Sequence, residues 1–403
     1  MPSSLWTHDF MDEMRLQGDP LADGVIEKLF ADGSVASVNQ LLHTLVGNDD
    51  LPSNKLPVDV QQYLLLTRPV LTRTDVEKLR RAQEVFELFG PEVMMILGFY
   101  SLPAAYAARR GVQVLARTGN LSINPVRRVF ETAQMVVDVM SRGGLEPAGR
   151  GVRTTQKVRL LHAAVRRLIR KDRRGAWAEQ ELGVPINQED MAGTLMTFSY
   201  VVLEGLKALR IELTPEQQDA WLHAWKLVGR TLGVHERLLP DGLDEARMLT
   251  RFIRERQVEP SAEGVALTAA LIEGMKAMVP APLEGLPASM IHFFLDQDQW
   301  QGLNVADMLC VPQPDWTTSI AQAITYVGGF TDWVGDHTFL PARLVRLVSK
   351  DIVEAMLRTE VGGKRALFQI PEELRGVWNL KARGTRPSGR HLAVGPDSGL
   401  RVA

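Results

Sequence analysis

The sequence predicts an all-α protein, a single large mixed bundle of helices. Apolar residues recur at helical spacing along most of the chain, and helix start and stop residues bound those runs. Runs with period-2 alternation are short and rare, the clearest lying near Arg365 to Ile370. The 403 residues are 45% hydrophobic and 23% charged, an ordinary globular balance in a chain long enough to bury a full core.

Asp23 to Phe30 and Ser37 to Leu45 carry the first helical patterns, and the polar break Gly47-Asn-Asp-Asp50 ends the second. Val58 to Leu66 and Thr74 to Leu88 follow, the latter opened by Thr74 and Glu77 at capping-box spacing. Val93 to Ala108 is the longest charge-free apolar stretch. It falls short of a spanning helix and contains Ser101 and Pro103, so it reads as a buried helix, a turn and the next helix. Pro125 to Met140, Thr154 to Arg170, Gln188 to Leu209 and Pro215 to Leu232 each have the length of a long helix. Thr214-Pro-Glu-Gln217 starts the last of these and Gly233 stops it. Ser261 to Met278 and Leu340 to Leu357 are further amphipathic helices, and Met278 to Pro287 reads as a connection. No period of roughly 20–50 residues repeats, which argues against a solenoid. The folded domain is expected over residues 1–380, followed by a disordered tail over 383–403 rich in Gly, Pro, Ser and Arg.

Lys and Arg number 46 against 48 Asp and Glu, a net charge of −2, so no global field favours nucleic acid as a partner. The lone Cys310 excludes an intrachain disulfide framework and any cysteine-cluster metal site within one chain. Met1 to Phe10 has neither a basic region leading into an apolar one nor a twin arginine, so a cytoplasmic, soluble chain is the expectation. Nucleotide-binding glycine motifs, His-Glu-x-x-His and Gly-x-Ser-x-Gly are all absent. His223 and His235 are not spaced to share a helix face, and His292 and His337 stand singly.

The informative stretch is Arg150 to Ile169. Val158, Leu160, Leu161, Ala163, Ala164, Val165, Leu168 and Ile169 surround this helix on most sides, yet Arg159, His162 and Arg166 share one face. Two guanidiniums flanking a buried imidazole require anionic partners. Those partners are either protein carboxylates, with Glu189, Asp190 and Glu131 as candidates, or a bound anion such as the carboxylates of a haem. In the second case His162 is the axial ligand of the iron. Arg128, Glu131 and Thr132 lie at i, i+3 and i+4 on the helix from Pro125, above the apolar set Met135, Val136 and Val139. They form either an ordinary ion pair or polar groups that assist bound oxygen. Downstream, Pro185 and Asn187 open a helix with Glu189 and Asp190 in its first turn. Gly193, Thr194, Thr197 and Ser199 then let a helix or a flat ligand approach closely.

These segments together resemble the family of latex-clearing proteins and mpaB-type oxygenases, all-helical proteins that bind haem b. The resemblance rests on Arg159-x-x-His162-x-x-x-Arg166, on Arg128 and Thr132, and on Asn187-Gln-Glu-Asp190 with Thr194. It extends to Gly18-Asp-Pro-Leu-Ala-Asp23, Ser101-Leu-Pro103 with Tyr106, and His223-x-Trp225, with the domain core at about residues 90–280. It implies a bundle enclosing a haem b pocket, with His162 as the ligand of the iron and Arg159, Arg166 and Thr194 beside the cofactor. Arg128, Glu131 and Thr132 then take the distal, catalytic side. Rubber-cleaving members carry a lysine just before the distal threonine, where this chain has Glu131, and their upstream glutamate base has no match at Ala104 or Ala105. The implied activity is oxygenation of an apolar substrate, isoprenoid or unsaturated lipid, by O2, with oxidative cleavage of a C=C bond into two carbonyl ends as one version. An electron donor and peripheral membrane contact are further candidate partners. A haem or lipid carrier without turnover is the alternative.

Overall fold

Capping chemistry starts the long helices as the sequence leads one to expect, although not always at the expected residue. The structure, a computed structural model, describes residues 5–32, 56–118, 125–172, 175–276, 284–296, 299–300 and 302–314, together with 349, 353–354, 360–361, 364–365 and 372–378. In chain order the first helices are α1 His8–Arg15, α2 Pro20–Asp32, α3 Val58–Leu66 and α4 Arg73–Ile96. Thr72, not Thr74, caps α4: it accepts from the Asp75 N–H, and the Asp75 carboxylate accepts from the Thr72 N–H in return. Asp75 also meets Nε2 of His223 at 2.7 Å, a long-range contact that favours this register over the one starting two residues later.

Helix α4 does not stop at Leu88. It runs through Gly90-Pro91 with a kink at Phe89 (φ −125°, ψ 18°). Pro91 has no N–H to give the Glu87 carbonyl, and the indole N–H of Trp378 donates there instead at 2.9 Å. The helix then widens into a π segment, Leu97–Ser101, in which the Leu102 N–H reaches back five residues to the Leu97 carbonyl. It continues as α5 Leu102–Tyr106, so the turn expected at Ser101 and Pro103 is absent. Pro103 is accommodated because it lies in the first turn of α5. Among the described residues, the run Arg73–Tyr106 is long and apolar enough to cross a membrane by composition, with 72% of its apolar window buried inside the protein.

The remaining helices are α6 Arg109–Thr118, α7 Pro125–Met140, α8 Arg150–Arg170, α9 Glu179–Leu182, α10 Gln188–Phe198, α11 Tyr200–Ala208, α12 Pro215–Leu232, α13 Leu243–Gln257, α14 Ala262–Lys276, α15 Leu286–Leu295, α16 Val305–Met308 and α17 Glu372–Val377. The single helix expected from Gln188 to Leu209 is two, broken at Ser199 (φ −99°, ψ −81°). Helix α12 has the expected reciprocal cap of Thr214 and Gln217, and ends on a left-handed Gly233. The described strands are two hairpins of two-residue strands, Gln299–Trp300 with Leu303–Asn304 and Glu360–Val361 with Lys364–Arg365. The fold is therefore all-α. Ser37 to Leu45, most of Leu340 to Leu357, the connection from Met278 up to residue 283 and the tail over 383–403 lie outside the described residues.

Two apolar clusters form the core. The larger unites α4, the π segment, α7 and α10–α15, with Trp221 and Trp225 fully buried. The smaller joins α2 and α3 to one face of α8 through Ile26, Val60, Tyr63, Leu160, Ala163 and Ala164. Helix α8 is thus held by α2 and α3 through this cluster and by α7 and α12 elsewhere.

Candidate functional site

Helices α7 and α8 meet at a glycine corner. A Cβ on Gly144 would strike the Asp138 carbonyl, one on Gly149 would strike the Gly143 carbonyl, and one on Gly151 would lie 2.6 Å from the Val139 Cα. Only glycine permits this approach. Asp138 fastens the corner, accepting from Thr154 Oγ1 and from Gln134 Nε2, both at 2.8 Å. On α7, Thr132 and Val139 are seven residues apart and share a stripe; on α8, Gly151, Val158 and His162 share another. Gly151 packs on Val139, so each of these stripes begins at the corner and runs away from it along its own helix.

Both stripes are incompletely covered. Val158, Leu161 and Val165 surround His162 at i−4, i−1 and i+3, and all four side chains are half-buried. Val129, Glu131, Thr132 and Met135 on α7 are half-buried too. The all-round apolar pattern of α8 therefore has two outcomes: Leu160, Ala163 and Ala164 enter the smaller core, whereas the side bearing His162 keeps accessible apolar surface. The side chain of Arg128 lies outside the described residues; its backbone belongs to α7.

The two arginines flanking His162 find protein carboxylates. Arg159 pairs with both oxygens of Asp19, at 2.5 and 2.9 Å, and donates to the Thr231 carbonyl at 3.1 Å. Burial pulls its guanidinium toward neutrality, but Asp19 outweighs that and holds its pKa above the ordinary value. Arg166 pairs with Asp23 at 2.8 Å and donates to the Ile186 carbonyl at 3.1 Å. Its Nη2 stays buried with no acceptor among the described residues. The partners are thus the aspartates of the Gly18 to Asp23 segment, not the expected Glu189, Asp190 or Glu131. Sequence could not pair residues 140 apart.

The Asn187 to Asp190 segment braces the same region. Asn187 caps α10 by accepting from the Asp190 N–H at 3.0 Å, and Gln188 donates to the carbonyls of Gly18 (2.7 Å) and Gly233 (3.1 Å). Glu189, fully buried, meets Arg256 at 2.8 Å and Arg15 at 3.4 Å, while Asp190 meets Arg15 at 3.0 Å. Burial pushes the Asp190 carboxyl up to about 6, with Glu189 adding to the rise and Arg15 opposing it. Gly233 lies so close to Arg159 that a Cβ there would be 2.5 Å from its Cζ.

A cavity opens where α7, the π segment and α10 converge, with about 650 Å³ of empty space counting its mouth. Its wall is apolar, with Met94, Phe99, Val129, Phe198 and Met275 among its residues, and the hydroxyl-bearing members are Ser101, Thr132 and Thr197. Ser101 Oγ donates to the Thr197 carbonyl at 2.6 Å, next to the helix break at Ser199, and so pins the π segment to α10. Of the sequence-derived candidates, Thr132 reaches this cavity. Thr194 is exposed and donates to the Asp190 carbonyl at 2.8 Å; one turn on, Thr197 lines the wall in its place. Gly98 and Met275 escaped sequence reasoning as wall residues: the charge-free run marks a buried helix, but its π register is not written in any spacing.

Residues 87–297 match the family described as the ER-bound oxygenase mpaB/B'/Rubber oxygenase catalytic domain. The chain belongs to this family. It is an oxygenase, and so an oxidoreductase. The oxygenase is 26% identical over 360 residues to the rubber oxygenase of Streptomyces sp. (strain K30), covering 88% of this chain and 85% of that one. Among solved structures it is similar to latex clearing protein LCP in the closed state, with a TM-score of 0.65 and 23% identity. That match covers 84% of this chain and 91% of the other, and speaks for the shared helical fold.

Proposed function

We propose that this oxygenase depends on haem b and adds O2 to an apolar, isoprenoid-like substrate, with cleavage of a C=C bond as the reaction. The relative that acts on rubber supports the substrate class. The observation that carries the cofactor reading is the pair of half-covered apolar stripes, one bearing His162 and the other Thr132, on helices fixed at one corner. Among the described residues no three His, Cys, Asp or Glu side chains converge as a metal site, and His162 is offered as a single donor. One imidazole beside apolar surface fits a haem, which needs a single ligand on one face. The buried, unengaged Nη2 of Arg166 fits one of its carboxylates.

His162 would hold the iron, and Arg166 a propionate. Arg159, committed to Asp19 on both oxygens, would act by fixing the helix that carries His162. When bound, haem supplies the binding and activation of O2. The Thr132 hydroxyl can donate a hydrogen bond at the edge of the cavity, while Met94, Phe99 and Phe198 exclude water and align an apolar chain. Glu131 places a carboxyl beside Thr132 where rubber-cleaving members carry a lysine.

The test is the absorption spectrum of protein from haem-supplied cells, with pyridine haemochrome quantification. A Soret band at about one haem per chain is expected, and His162→Ala should lose haem while keeping its helix content. Full haem occupancy in that variant would falsify the ligand assignment. Carbonyl products from an alkene-bearing isoprenoid then test turnover, and binding without product would leave a carrier.

A further inference from the structure

One close approach in the cavity wall joins a glycine to the end of a methionine. Gly98 sits within the π segment and lines the cavity, as does Met275 on α14. A Cβ on Gly98 would lie 2.8 Å from the Met275 Cε, closer than two such carbons can stand. Among the described residues, that methyl is the one non-local neighbour the added carbon would meet within 4 Å. The missing side chain at position 98 is thus filled by the end of a methionine, an unbranched and adaptable side chain. Any larger residue at 98 forces the thioether to move, and both residues border the cavity.

We infer that Gly98 and Met275 together determine the substrate cross-section this oxygenase accepts, Gly98 by leaving Met275 a notch to retract into. The inference rests on the reading of this cavity as the substrate site. The wall has no charged member and three hydroxyl groups, so its occupant is a hydrocarbon chain. With Met275 in its notch, the passage is at its widest on this side, which would favour a chain bearing methyl branches. With a side chain at 98, the displaced thioether competes with those branches, whereas an unbranched chain still passes. One added methylene in an apolar pocket changes affinity about 10–200-fold, enough to alter selectivity.

The test uses two intrinsically fluorescent probes on the full-length, haem-supplied protein. Retinol is a methyl-branched polyene and trans-parinaric acid an unbranched one; each is titrated by fluorescence. Gly98→Ala should raise the Kd of retinol about tenfold while moving that of parinaric acid by less than about threefold. Adding Met275→Ala to that variant should restore retinol binding, and Met275→Ala alone should tighten it. Should Gly98→Ala fail to fold, the single Met275→Ala variant still decides. Equal shifts for both probes, or no rescue in the double variant, overturn the inference and leave the cavity reading intact. Failure of the unaltered protein to bind either probe overturns both. Binding selectivity that follows these expectations, with no O2 uptake on any isoprenoid, would overturn only the proposed activity.

Discussion

Arg159 and Asp19 meet as a bidentate buried pair, 2.5 Å from Nε to Oδ2 and 2.9 Å from Nη2 to Oδ1, and the pair ties the helix of His162 to the start of the chain. Gly233 closes against the same guanidinium, where any side chain at that position would collide with the arginine. Its value lies in placing one helix rather than in net stability, since burying the two charges offsets much of their attraction.

Asp19→Ala should therefore destabilise the fold by about 3–5 kcal/mol, because it strands a buried guanidinium. Arg159→Met combined with Asp19→Leu should recover much of that loss. Urea unfolding of the two singles and the double gives the coupling directly, and additive losses would show that the pair is not an energetic unit.

Gly151→Ala tests the corner between α7 and α8. The new Cβ would lie 2.6 Å from the Val139 Cα and 2.7 Å from the Asp138 carbonyl, both backbone atoms that cannot step aside. A loss of about 1–3 kcal/mol is expected, together with weaker haem retention, because the helix bearing His162 shifts on α7. A thermal midpoint and Soret intensity equal to those of the unaltered protein would rule out the corner as the positioning device.

Thr132→Val removes the hydroxyl at the cavity edge while keeping shape and volume close to those of threonine. Haem content and the Kd for apolar probes should stay unchanged, whereas the oxygenation rate should fall about 10–100-fold if the hydroxyl donates a hydrogen bond in the rate-limiting step. A fall in haem content of the same size would mark Thr132 as a structural residue instead.

Asp190 predicts a pH dependence. Its carboxyl, raised mainly by burial to about 6 in the folded protein, stands above the ordinary unfolded value of about 4. Between those values the folded state holds more protons than the unfolded one, so this group stabilises as pH falls through about 6 and its contribution is lost as pH rises. Asp190→Asn should remove that slope. Relative to the unaltered chain, the variant should gain on the order of 2 kcal/mol between pH 4 and pH 7, read as a series of urea midpoints; a difference independent of pH would contradict the shift.

The sequence by itself determined the helical class, most of the long helices and which residues share a face on α7 and α8. These follow from local rules: apolar spacing, the Thr214–Gln217 cap and the left-handed stop at Gly233 act within a few residues and need no partner. The tertiary structure decided what those residues do to one another. Pro91 should end a helix, yet α4 continues because Trp378, 287 residues further on, supplies the hydrogen bond that proline cannot. Arg159 and Arg166 called for anions, and the choice of Asp19 and Asp23 over nearer acidic residues was made by how α2 packs on α8. The π segment that brings Gly98 against Met275, and the break at Ser199 that divides the expected helix, follow from no spacing in the sequence. Spacing fixes which residues share a face; only packing fixes what that face meets.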